Sequence, residues 1–545
     1  MKNRIALAWI FCAGLFALIS SAQAAELRLA GIYGPNMVLQ QQLPARVHGW
    51  ANPGDEVSVD FAGQHKTATA DAQGTWKLEL DAMPASSDAR TLKVSSKGDT
   101  KGIELANVLV GEVWVCSGQS NMGGAMSSLR AGAPADFAEA FPNIRYCTVP
   151  LLGAYRPQED VASIQWRACD LANIDFVSAP AFYFARDLYR HLKVPIGLIV
   201  SANGGTAVEC WLPRAAFDVD DETRAVLAQW EKQLDAVPDA RDKYDEYYQK
   251  GVKANQDYYY KSYLPWTKEV EAAKAAGKTP PPQPPDSSDV PPFNFRVPNS
   301  LYNGMIQPLT FVTIRGAIWY QGENGSVTID AFRKMTASMI IQWRKNWGLG
   351  DFPFLIVQLP YYQSLLKDPN GEKPNKSWAP KREAQRAAAA AVPNVGLAVT
   401  LDTGDDNNLH PSNKDVVGAR LALLARAMAY GEKVVCSGPV GKTAEAADGK
   451  IEVSFDQVGG GLVSKGEDGK LSDKAPVKGF ALAGADGKYA WADAIIAGNA
   501  VLLSCDKVPA PASVRYAWAS HPPCSLYNRE GLPAGPFEMK VAPAK

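Results

Sequence analysis

Residues 113–126, VWVCSGQSNMGGAM, run an apolar stretch into a turn that presents Ser120 between Gln119 and Asn121. A serine hydroxyl is a poor nucleophile until a neighbouring base takes its proton. The tetrahedral species it then forms needs hydrogen-bond donors. The chain has five histidines in which to seek that base. His48 and His65 fall in an N-terminal β-rich region, His521 falls in a C-terminal one, and His191 lies on the polar side of a helical pattern. His410, in LDTGDDNNLHPSNKDVVGARLALLA, follows an apolar run, precedes a helical pattern, and has Asp402, Asp405 and Asp406 just ahead of it. A strand-end histidine beside acidic residues is what a serine–histidine–acid relay requires, whatever the chain order.

Two further blocks offer donors. Asn203-Gly204-Gly205-Thr206 ends one apolar run, and glycines let backbone N–H groups approach a developing oxyanion. Gln321-Gly322-Glu323-Asn324 ends another, after AIWY, and brings side-chain amides to the same rim. Met122 occupies the second glycine position of G-x-S-x-G, which disfavours a nucleophile-elbow hydrolase. No paired-histidine spacing and no H-E-x-x-H occurs, so no metal is expected.

These blocks need a scaffold that collects them at one edge. NVLVGEVWVCSG, VPIGLIVSANGG, RGAIWYQGEN, FPFLIVQLP and NVGLAVTLDTGDD are continuous apolar runs, the pattern of strands buried on both faces. Between them SAPAFYFARDLYRHL, DAFRKMTASMIIQWRKNW and PKREAQRAAAAAV have helical spacing. Strand alternating with helix predicts an α/β doubly wound parallel core over residues 108–430, with ligands beyond the carboxyl ends of its strands. Residues 25–107 alternate with period two between turn formers and predict a β-sandwich module, and residues 431–545 predict a second β module. Within the core, residues 218–298 form an insertion: a helical hairpin and a Pro-rich return carrying Phe293 and Phe295, read as a wall or lid over the site.

At 545 residues the chain has room for about three domains. Its 56 basic and 57 acidic side chains leave a net charge of −1, which gives no general attraction for nucleic acid or anionic lipid. The basic start at Lys2 and Arg4, a short apolar core and Ala22-Gln23-Ala24 predict a signal peptide over residues 1–24 and an exported protein, periplasmic or secreted, without a membrane anchor. Eight cysteines, less Cys12 in that segment, leave seven without a C-x-x-C pair; Cys147 with Cys169 is the first pairing to consider.

GEVWVCSGQSNM, SANGGTAVECW, LYNGMIQPL, RGAIWYQGEN, DTGDDNNLHPSNKDVVGARLAL and VRYAWASHPPCSLYNREGLPAGPF together resemble the sialate O-acetylesterase family of SGNH hydrolases, over nearly all of the chain after residue 24. The resemblance implies a carbohydrate O-acetylesterase that needs no cofactor. It implies Ser120 as nucleophile, His410 as base, and oxyanion or binding groups from the Ser120 backbone, Asn121, Gly204, Gly205, Gln321, Glu323 and Asn324. Two positions depart from the family pattern. Asn203 stands where a tryptophan is common, and Asn407 and Asn408 stand where relatives carry an aspartate before the histidine. The orienting group is therefore Asp405 or Asp402 folded back, or a backbone carbonyl in a dyad. The tyrosine-rich insertion favours a neutral plant polysaccharide such as acetylated xylan or xyloglucan, with O-acetylated sialic acid as the rival substrate. A non-catalytic carbohydrate-binding protein and a lipid-acting hydrolase are the alternatives from other classes.

Overall fold

The computed structural model describes residues 26–543, apart from 98, 100, 131, 133, 286–296, 326, 374–376 and 448. The leader read over residues 1–24 and the part of the Pro-rich return with Phe293 and Phe295 lie outside the described residues.

Seven strands build the sheet that positions the site: β1 (Ile103–Gly118), β2 (Phe141–Thr148), β3 (Arg167–Cys169), β4 (Ile196–Ala202), β5 (Gly316–Tyr320), β6 (Phe354–Val357) and β7 (Val395–Ala398). They lie in the order β3-β2-β4-β1-β5-β6-β7. All pairs are parallel except β2 with the edge strand β3. The five-residue strand β5 is buried throughout and the carboxyl-terminal half of β1 likewise, as strands covered on both faces must be.

Five helices matter to the site: α1 (Ser120–Gly123), α2 (Ala179–Leu192), α3 (Ile329–Trp347), α4 (Ala379–Ala391) and α5 (Lys414–Met428). Helices α2 and α5 share one apolar cluster with Trp114, Cys116 and Ile318. Helices α3 and α4 contribute Met335, Trp343, Trp347 and Ala384 to a cluster that includes Val115, Ala317 and Trp319. Alternate residues of β1 and β5 thus face opposite helical layers. Gly418 lets α5 approach α2 closely: a Cβ there would sit 2.4 Å from the Cβ of Tyr183.

The boundary expected at residue 108 falls inside one strand. The first part of β1 pairs antiparallel with Ser86–Ser96 of the N-terminal β region, and its continuation pairs with β4 and β5. Buried Glu112 marks the changeover. It accepts from Gln40 (3.2 Å), Gln41 (2.5 Å) and the Arg315 guanidinium (2.7 Å). Its charge is fully hydrogen-bonded, the condition for burying a carboxylate.

The insertion contains helices at Asp221–Asp235, Tyr244–Tyr258 and Leu264–Ala275. Tyr244 and Tyr248 are buried and Tyr248 packs where a Cβ on Gly153 would be. These two tyrosines therefore anchor the insertion and do not form a sugar platform. The C-terminal region forms three small antiparallel sheets around a core of Phe455, Phe480, Tyr516 and Phe537.

All seven cysteines after residue 25 are free, so Cys147 and Cys169, the first pairing to consider, are not joined. Cys147 packs in the cluster of the α3–α4 side and Cys169 in that of the α2–α5 side, so the sheet separates them. Among the described residues, no helix is long and apolar enough to cross a membrane.

Candidate active site

The carboxyl ends of β1, β4 and β5 converge on one turn. At the end of β1, Gly118 has φ +137°, and a Cβ there would lie 2.1 Å from the carbonyl oxygen of Tyr320 at the end of β5. Only glycine tolerates that contact and that backbone. Past it, the Gln119 N–H donates to the Tyr320 carbonyl (3.0 Å), and Ser120 begins α1. The turn is braced from α2, whose N-cap Ser178 donates to the Met122 carbonyl (2.6 Å), while the Ala179 N–H donates to Gly124 (2.8 Å). Met122, the residue that breaks the nucleophile-elbow pattern, is fully buried beneath the turn.

His410 arrives from the loop between β7 and α5, and its Nε2 stands 2.8 Å from Ser120 Oγ. The two residues are 290 positions apart in sequence and meet within hydrogen-bond distance. The other four histidines are engaged elsewhere: His48 with the Tyr33 hydroxyl, His65 with Asp60, His191 with Glu432 and His521 with Asp406. Partial burial, and then the charge of Lys414, hold the His410 imidazolium below the usual histidine range. Both effects favour the neutral ring, the form a base requires.

The two expected acids are occupied. Asp402 accepts both arms of the Arg420 guanidinium (2.6 and 2.8 Å) and the Tyr527 hydroxyl (3.2 Å). Burial opposes its charge, but Arg420 and Tyr527 outweigh that and hold the carboxyl below its ordinary range. Asp405 accepts from the backbone N–H groups of Asn407 (2.8 Å) and Asn408 (2.9 Å), shaping the loop ahead of the histidine. Asn408 Oδ1 in turn accepts from the His410 N–H (2.8 Å). Neither Asp402 nor Asp405 hydrogen-bonds the imidazole, so neither of the two alternatives that fold an aspartate back onto it is seen in the structure.

The donor set also sorts itself. Asn121 Nδ2 donates to Glu323 Oε1 (2.5 Å) and to the Leu409 carbonyl (3.0 Å), and Gln321 Nε2 donates to the carbonyls of Thr206 (3.3 Å) and Asn324 (2.9 Å). An amide nitrogen carries two hydrogens, so neither side chain has one left for an oxyanion. Glu323 also points inward, where burial raises its carboxyl above the ordinary range against the pull of Asn121, Lys414 and Lys381. By contrast, the backbone N–H groups of Ser120, Gly204 and Gly205 donate to no other described residue. A Cβ on Gly204 would lie 3.4 Å from the Cβ of Ser120, so that amide borders the nucleophile. Asn324 is exposed and spends one side-chain hydrogen on the Gly205 carbonyl (2.7 Å). Asn203 Nδ2 is buried without a described partner.

Four features of the site were not read from sequence. Lys414 Nζ donates to Asn121 Oδ1 (2.5 Å), and Lys381 Nζ donates to the carbonyls of Gly322 and Glu323 (3.1 Å each). The Tyr361 and His521 rings stack 4.0 Å apart beside the histidine loop, with Asp406 2.8 Å from His521 Nδ1. Tyr362, bridged to Asp405, stacks on Trp378 at 5.3 Å. No local pattern announces His521, which reaches the loop from the C-terminal region.

Among the described residues, no cluster of three or more metal-ligating side chains occurs. A hydroxyl and a neutral imidazole at the strand ends of an α/β sheet, with free backbone donors beside them, make up the chemistry of ester hydrolysis. Comparison with known proteins gives the particular family. The profile described as carbohydrate esterase, sialic acid-specific acetylesterase, matches residues 110–237 and 292–427. A carbohydrate acetylesterase from Xanthomonas citri, known from its crystal structure, is 31% identical with a TM-score of 0.74, covering 94% of this chain and 99% of its own. The sialate O-acetylesterase of Mus musculus is 28% identical over 97% of both chains, and that of Homo sapiens 26% identical over 94% of this chain and 92% of its own. The chain belongs to the sialate O-acetylesterase family of carbohydrate esterases and is a carboxylic ester hydrolase that acts on acetylated carbohydrate.

Proposed function

We propose that the protein is an exported serine esterase that removes O-acetyl groups from a neutral plant polysaccharide, with xylan or xyloglucan as the substrate class, through Ser120 and His410. The observation that carries this reading is the 2.8 Å approach of His410 Nε2 to Ser120 Oγ. With its proton on Nδ1, the imidazole accepts the serine proton at Nε2 as Oγ bonds to the acetyl carbonyl carbon. The N–H groups of Ser120 and Gly204 and the second side-chain hydrogen of Asn324 are the donors offered to the oxyanion. Collapse of the tetrahedral species breaks the acetyl–oxygen bond to the sugar, whose oxygen takes the proton from Nε2. Water, deprotonated by the same nitrogen, then attacks the acetyl-serine; acetate leaves and Oγ regains its proton.

Two features support a neutral sugar. Two arginines point inward, Arg382 onto the carbonyls of Leu359, Pro360, Ala519 and Ser520, and Arg420 onto Asp402, while Asp406 is exposed. Among the described residues, an anionic sugar would meet exposed Asp406 there, while the guanidinium groups of Arg382 and Arg420 are already engaged. The half-buried Tyr362–Trp378 pair supplies an aromatic surface of the kind on which sugar rings pack. The rival substrate, O-acetylated sialic acid, is favoured by the activity named for the mouse and human relatives. The leader read over residues 1–24 supports export.

Acetate release from acetylated xylan, xyloglucan and O-acetylated sialic acid, measured side by side, decides the substrate. Release from the two plant glycans is expected, and turnover of sialic acid alone would reverse the assignment. Trp378→Ala is expected to raise KM for an acetylated oligosaccharide about fivefold while leaving turnover of p-nitrophenyl acetate close to wild type, since the loss is one aromatic contact of about 1 kcal/mol.

A further inference from the structure

Among the described residues no carboxylate bonds His410, yet its position is not left to the loop alone. Asn121, directly after the nucleophile, donates from Nδ2 to the carbonyl of Leu409, directly before the base, and to Glu323 Oε1, and accepts at Oδ1 from Lys414 Nζ. Asn121 and Lys414 are buried, and Glu323 is largely so, with its second oxygen buried and without a described partner. Lys414 also lies over the Tyr320 ring at 5.0 Å, at the end of β5. We propose that Glu323, Asn121 and Lys414 are positioning residues that stand in for the missing carboxylate, clamping residues 120–121 to residues 409–410 so that hydroxyl and imidazole are held in register.

The chemistry of the amide explains the two charged ends. An asparagine side chain could be turned by half a rotation, exchanging its oxygen and nitrogen. Turned that way, Nδ2 would face the Lys414 ammonium, donor against donor, and Oδ1 would face a carboxylate and a carbonyl, acceptor against acceptor. The cation at one end and the anion at the other therefore permit a single orientation, the one that grips Leu409. The two charges make no direct ion pair; the amide lies between them, and each is compensated through it.

The clamp has an electrostatic consequence that a carboxylate would reverse. A carboxylate on Nδ1 stabilises the imidazolium, whereas the Lys414 cation, which burial has brought down to about 8 but not discharged at neutral pH, disfavours it. The other charged groups facing His410 are committed: Asp405 to loop amides, Asp406 to His521, and Glu323 to Asn121. Lys381 is bonded to the carbonyls of residues 322 and 323, and Glu209, buried beside it, is raised above the ordinary carboxyl range by burial. Removing the Lys414 charge must then move the base toward ordinary histidine behaviour.

This inference rests on Ser120 and His410 being the reacting pair, and the test keeps the two apart. For Asn121→Asp, Lys414→Met and Ser120→Ala, kcat and KM on p-nitrophenyl acetate are measured across acidic to mildly alkaline pH, together with Tm. Asn121→Asp keeps the shape and the acceptor for Lys414 but loses both donated bonds; it is expected to lower kcat about 30- to 100-fold, as misplacing a reacting group does, with KM within about twofold. Lys414→Met is expected to lower kcat and to move the acidic limb of kcat/KM to higher pH. A wild-type limb in Lys414→Met, or kcat losses in both variants that track Tm with no change in the limb, overturns the clamp. Undiminished hydrolysis by Ser120→Ala would instead overturn the reacting pair itself.

Discussion

The two halves of the Ser120–His410 pair are held by different means. The serine side is built of main chain: three parallel strand ends, a glycine with φ +137° pressed against the Tyr320 carbonyl, and a turn braced by the start of α2. The histidine side is built of side chains. Asp405 and Asn408 shape its loop, Arg420 and Tyr527 hold Asp402, and His521 of the C-terminal region pairs with Asp406. A backbone frame tolerates change at exposed side chains and fails abruptly at its glycine. A side-chain frame is expected to degrade by steps.

The comparison can be broken first at the pair. Ser120→Ala and His410→Ala are each expected to lose about 10,000-fold or more in kcat on an acetyl ester, and to lose no more together than singly, because the two act as one unit. Additive losses in the double variant would mean that they act separately. Next comes the frame of the serine side. Gly118→Ala places a Cβ 2.1 Å from the Tyr320 oxygen and forces a disfavoured backbone, at a cost of about 2 kcal/mol or more, read as a lowered midpoint in urea with lost turnover. A variant as stable and active as the parent would show the strand ends to be looser than described.

The histidine side is expected to answer more mildly. His410 is held below its usual range by burial and by Lys414, so its neutral form persists as pH falls. Activity that needs neutral imidazole should stay level from neutral pH to below the ordinary histidine range and only then decline, as a pH profile of kcat/KM reports. A decline that sets in above about 6.5, the ordinary histidine value, would contradict the environment described. Asp405→Asn is expected to cost less than about tenfold in kcat, since the carboxylate caps loop amides and does not touch the ring, against the roughly 10,000-fold loss seen where an acid orients the base.

The same contrast governs what could be read from sequence. Apolar runs ending in Gly118, Gly204 and Gly322 show buried strands feeding tight turns, because main-chain geometry restricts which residues are allowed. Ser120 and His410 were accessible on that ground. Which polar partner each side chain takes was not. Asp402 and Asp405 sit as near His410 in sequence as an orienting acid needs to be, but Arg420 lies on the facing turn of α5 and the amides of Asn407 and Asn408 lie closer still. Asn121 and Gln321 look like free donors until the structure fills both hydrogens of each. That residue 108 falls within a strand was hidden for a related reason. An antiparallel edge and a parallel core strand can be the same strand, and Ile103–Gly118 changes partners at Glu112 without a turn to mark it.

The covalent step is the most direct point of attack. Rapid mixing with p-nitrophenyl acetate, acid quench and mass analysis of the proteolysed protein should find one acetyl group on Ser120, absent in Ser120→Ala. Steady hydrolysis with the acetyl group on another residue, or persisting in Ser120→Ala, would contradict the account.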